Sequence, residues 1–110
     1  MRIEKIEANL AKAERAYYDW RKAVEVYERC KNEPLGEFPE SAFRAYIVMG
    51  TVADAAKALN AAGQRNGKKS FQSNDISATI TSVSLEDTDI MVAARFLLNE
   101  GRVYMDKLHN

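Results

Sequence analysis

Few residues in this chain can do covalent or metal chemistry. There is one cysteine, Cys30, and one histidine, His109. A Cys–His nucleophilic pair would have to join these two. One His and one Cys cannot build a Cys/His zinc site, and no HExxH or CxxC spacing occurs. A lone thiol makes no disulfide within the chain and suits a reducing, cytoplasmic setting. The other candidates are carboxylates, because Glu86, Asp87 and Asp89 crowd one short stretch. Such a group can hold a divalent ion, but acids at a helix start ordinarily complete the helix N-terminus. No metal, cofactor or catalytic residue is assigned, and the chain is not read as an enzyme.

The cations offer a different chemistry, contact with phosphate. Arg65, Lys68 and Lys69 crowd the polar segment QRNGKKS at 64–70, and Arg95 and Arg102 can join them in the fold. These five are the candidate contacts to duplex DNA; the alternative for 64–70 is a solvated turn. Charge gives this reading little general help. The 110 residues hold 16 Lys+Arg and 16 Asp+Glu, for zero net charge. From Ser41 onward there are eight cations against seven anions. A generally basic chain drawn to phosphate is therefore excluded, and only a local patch remains.

Elements must position these groups. The N-terminal third spaces Ile3, Ile6, Leu10, Ala13, Tyr17, Trp20, Val24 and Tyr27 by alternating steps of three and four. That is an a/d heptad pattern sustained over about three and a half heptads. No Gly or Pro interrupts residues 1–32, and five alanines favour helix. The pattern predicts one long amphipathic helix over 1–32, a linker at 33–38 containing Pro34 and Gly36, and a second unit over 39–110. The eight seam residues are the candidate self-association surface. A parallel coiled-coil dimer is one reading, and a helix packed back on its own chain is the other. The e and g positions supply one good cross-pair, Arg2 with Glu7. The g positions Ala16, Ala23 and Cys30 are small and apolar, so the stripe is wider than a two-stranded seam. That width favours a homodimer in which part of the helix also packs on the second unit.

In the second unit, Pro39 suits a helix start and predicts a helix over 40–49, interrupted by Gly50. Thr51-Val-Ala-Asp54 has capping-box spacing and opens a helix over 52–62, with Gly63 just past its end. Phe71 suits a short strand, and Ser73-Asn-Asp75 can cap a short helix over 76–81. Ser84-Leu-Glu-Asp87 has capping-box spacing again and predicts a helix over 85–100 that stops at Gly101. Residues 102–105 have strand character.

This order, helix, short strand, short helix, turn, longer helix, strand, resembles a winged helix-turn-helix domain. The segment TVADAAKALNAAGQRNGKKSFQSNDISATI is similar to the DNA-binding tail of large serine recombinases and related mobile-element regulators. The segment IMVAARFLLNEGRVYMD resembles the third helix and first wing strand of winged-helix regulators. Ala94, Phe96, Leu97, Gly101 and Val103 carry that likeness, which covers 51–106. The resemblance implies a mostly α fold, with the long helix followed by a winged-helix-like α/β domain containing short strands. It also implies a small dimeric DNA-binding regulator, of a kind found in phages and other mobile elements. Recombination is not implied, because no nucleophile domain is present.

One feature opposes that implication. Glu86, Asp87 and Asp89 fall at the start of the helix that would read bases, where they repel a phosphate backbone. The acidic start, the neutral charge and the aromatic-rich first helix support a protein-interaction adaptor or inhibitor instead, with Tyr18, Trp20 and Tyr27 as anchors. Residues 1–10 lack the apolar run of a signal peptide, and the longest apolar stretches are far too short to span a bilayer. The expected location is the cytoplasm.

Overall fold

The computed structural model describes residues 2–101. It contains five α-helices: α1 (Arg2–Cys30), α2 (Glu40–Met49), α3 (Val52–Ala61), α4 (Ser73–Ser82) and α5 (Thr88–Phe96). A five-residue π-helical turn, Leu97–Gly101, continues α5. The described residues contain no strand, so the α/β domain with short strands is overturned and the fold is all-helical. The only bridge pairing there is an isolated one between Asn66 and Lys69. The expected strand at 102–105 lies outside the described residues.

Helix α2 organises the head formed by residues 40–101. Seven consecutive residues, Ser41 to Ile47, are buried. A helix buried on all sides must be surrounded, and α1, α3, α4 and α5 all pack on it. Phe43 stands at the centre, with Leu59 from α3, Ile76 and Ile80 from α4 and Ile90 from α5, all fully buried. The buried polar groups are satisfied. Ser41 Oγ donates to Gln64 Oε1 at 2.7 Å, and Gln64 Nε2 donates to the Gly36 carbonyl at 2.8 Å. Arg44 is ion-paired to Glu33 at 3.2 Å and to Glu40 at 3.3 Å.

The turns follow local chemistry. Gly50 ends α2 at φ +88°, and its N–H bonds the Tyr46 carbonyl at 2.8 Å. Thr51 caps α3, its hydroxyl accepting from the Asp54 N–H at 3.1 Å. Past α3, Gly63 sits at φ +84° and Gln64 N–H reaches back to the Leu59 carbonyl at 3.0 Å, which closes a Schellman turn.

The strand expected at Phe71 is absent for a definite reason. The Asn60 side chain occupies both backbone groups of Phe71. Asn60 Nδ2 donates to the Phe71 carbonyl at 3.0 Å, and Phe71 N–H donates to Asn60 Oδ1 at 2.8 Å. One side-chain amide does what a neighbouring strand would do, while the Phe71 ring is buried against Phe38 at 5.0 Å.

Helix α1 stands apart in shape. Its 29 residues span about 43 Å at 1.5 Å per residue. The molecule measures 58 × 28 × 24 Å, and the long dimension is that of a projecting rod. Among the described residues, the last turns of α1 are the part that docks, through Ala23, Val26 and Cys30, all buried.

Candidate interaction surface

The seam of α1 and its docked face are different faces. Val24 lies one residue, about 100° of helix circumference, from buried Ala23. Ile3 is 71 %, Leu10 57 % and Tyr17 64 % exposed, and Ile6, Ala13, Val24 and Tyr27 are exposed too. Trp20 alone of the eight seam residues is half-buried, its ring edge-on to Phe96 at 5.2 Å and 86°. Tyr18, off the seam, is also exposed. The seam is thus an apolar stripe on a rod in water, with the head seated on a neighbouring stripe of small residues. The small g residues Ala23 and Cys30, which widened the sequence pattern, are the residues that admit the head.

The acidic start of α5 has a role inside the chain. Asp87 caps α5, accepting from the Ile90 N–H at 3.2 Å, and is ion-paired to Arg29 of α1. Asp89 is 3.5 Å from Lys22 of α1. Two carboxylates near the positive end of α5 therefore hold two cations on α1, and the start of α5 lies beneath the rod. The expected helix start at residue 85 is corrected. Asp87 is the cap, and the helix begins at Thr88.

This docking should respond to acid. The Arg29 guanidinium holds the Asp87 carboxyl below its ordinary value, with the Ile90 N–H acting in the same direction. A lowered carboxylate contributes stability above its unfolded value, and the contribution is lost as pH falls through the lower folded value. Wild-type protein should thus loosen the α1–α5 contact only below about pH 4. Trp20 fluorescence reports it through the Phe96 contact. Asp87→Asn keeps the cap and removes the ion pair, so it should flatten the acid transition. An unchanged transition in that variant would place the sensitivity elsewhere.

The candidate DNA contacts are dispersed in role. Arg65 donates from one terminal nitrogen to the Asn60 carbonyl at 3.1 Å and to the Gln64 carbonyl at 2.7 Å, which ties the end of α3. Arg95 donates from Nε to the Ile80 carbonyl at 2.8 Å and from a terminal nitrogen to the Val83 carbonyl at 2.7 Å, which ties the end of α4. Lys68 and Lys69 are exposed on a tight turn closed by Asn66 N–H to Lys69 carbonyl at 2.8 Å and the reverse bond at 3.1 Å. Arg102 lies outside the described residues. Sequence periodicity carries no signal for the arginine caps, because an arginine bridging two carbonyls can sit at any surface register.

The nucleophile candidate does not mature. Cys30 is buried in the core, and burial pushes its thiol pKa up, away from the reactive thiolate. His109 lies outside the described residues. No helix among the described residues is long and apolar enough to cross a membrane. Comparison with protein-family models, curated proteins and solved structures yields no match.

Proposed function

We propose that this chain is a homodimeric protein-interaction module in which the rod of α1 pairs with a second copy and carries a helical head. One observation supports the reading above all: Ile3, Ile6, Leu10, Ala13 and Tyr17 form a continuous apolar stripe that the chain's own head leaves exposed. Regular heptad spacing of this kind fits a partner helix. The role is non-catalytic and needs no cofactor. A reading as a duplex-DNA-binding dimer draws on Lys68 and Lys69 at the exposed turn. It is supported by fewer residues, since Arg65 and Arg95 close helix ends and the start of α5 faces α1.

Sedimentation at micromolar concentration tests the proposal. The wild-type chain should have twice its 12.4 kDa mass. Leu10→Asp puts a charge in the middle of the stripe and should give a monomer with an intact head. A wild-type monomer, or a Leu10→Asp chain that still dimerises, overturns it.

A further inference from the structure

We infer that the second copy pairs antiparallel, with Ala13 of one rod against Tyr17 of the other, so that the two heads stand at opposite ends of the dimer. The inference rests on the homodimer reading above and concerns only the arrangement of its seam.

Side-chain size along the stripe carries the first part. In a parallel, in-register pair each seam residue meets itself. Ala13 would face Ala13 and leave a void, while the next two layers would place Tyr17 on Tyr17 and Trp20 on Trp20. Trp20 already lies edge-on against Phe96, which limits its freedom to share a crowded layer. Facing helices pack best when large and small residues alternate across the seam. An antiparallel pair with Ala13 opposite Tyr17 does this. The same register sets Leu10 against Trp20, Ile6 against Val24 and Ile3 against Tyr27. Val24 and Tyr27 both have exposed side chains, so the seam stays open that far along α1.

Charge carries the second part and bears on the register of the antiparallel pair. The e positions beside the seam are Glu7, Glu14, Arg21 and Glu28. In the antiparallel register each Glu7 comes beside Arg21 of the other copy, twice by symmetry. The like pair, Glu14 with Glu14, falls on the two-fold axis with an Arg21 on either side. Sliding by one heptad, to bring Ala13 opposite Leu10, instead sets Glu7 beside Glu14 twice. The parallel pair sets Arg2 beside Glu7 twice but leaves Arg21 beside Ala16, so side-chain size rather than charge decides the orientation. On the other flank the g positions Asn9 and Ala16 are small and exposed, and Ala16 meets Ala16 at the axis, while Ala23 is covered by the chain's own head. Small residues there let the helices approach closely.

Spin labels on Glu4→Cys in a Cys30→Ala background test the arrangement on the full chain, because Glu4 is exposed and off the seam. In the antiparallel pair residue 4 lies level with residue 26 of the other copy, so the backbones at the two labels are about 33 Å apart along the axis. In a parallel pair they are side by side, about 10 Å apart. A dimer mass with the long distance supports the inference. A dimer mass with the short distance overturns the antiparallel arrangement and leaves the homodimer reading intact. A monomer mass overturns both.

A charge exchange gives an independent readout. Arg21→Glu should weaken the dimer about tenfold, and adding Glu7→Lys should restore it. Failure of that rescue in a chain that still dimerises overturns the assigned register.

Discussion

Phe43→Ala should nearly unfold the head. Phe43 is wholly buried at the point where α2 meets the other helices of the core, so truncation leaves a cavity that four packed elements cannot close. Large-to-small changes of an aromatic at such a site cost about 3–5 kcal/mol. Domains of this size are stable by only about 5–15 kcal/mol in total. The thermal midpoint, read by far-ultraviolet circular dichroism, should fall by about 15 °C or more. A fall of less than about 5 °C would show that Phe43 is not the centre of the core. Leu10→Asp offers the contrast. It should change the mass of the particle while leaving the head's unfolding transition in place.

Arg95→Met should also cost stability, by about 2–3 kcal/mol, because it deletes two charge-assisted hydrogen bonds, to the Ile80 carbonyl in the last turn of α4 and to the Val83 carbonyl just past it. The last carbonyls of a helix have no partner inside it, and Arg95 reaches across from α5 to supply one. Arg95→Lys should recover little, since a single ammonium cannot span the Ile80 and Val83 carbonyls as a planar fork does. Thermal unfolding of the two variants checks this. A full-strength Arg95→Met head would remove the structural role and return Arg95 to the list of phosphate contacts.

Much of the helical layout was legible in the residues themselves. Pro39, Gly50 and Thr51 bracket α2 and α3 within a residue of their observed ends, because each acts through its own backbone or hydroxyl. Helix α4 begins earlier than expected. Gln72 serves as the cap, and Asp75 answers it by accepting from the Gln72 N–H at 2.9 Å. Ser84 is the expected cap of α5, with Asp87 inside the helix. Asp87 took the role while also pairing with Arg29, 58 positions away, which no local pattern reveals. The strand at Phe71 failed for a similar reason, since its hydrogen-bond partner is a side chain 11 residues earlier. The winged-helix resemblance implied short strands, and the described residues contain none. The candidate surface divides in the same way. Heptad spacing marked the stripe on α1, but the stripe could not say that the head binds the adjacent line of Ala23, Val26 and Cys30.

The docking of α1 by its last turns alone has a thermodynamic consequence. Among the described residues, about five helical turns extend beyond the head without a tertiary contact. A helix of that length in water is near the midpoint of its own helix–coil equilibrium. Nucleation is supplied by the docked end, so the arm propagates outward from the head rather than starting anew. Pairing with a second arm then selects the helical conformers and lowers the population of coil. Ordering of the arm and association of two chains become a single equilibrium, and the helicity of the arm follows total protein concentration.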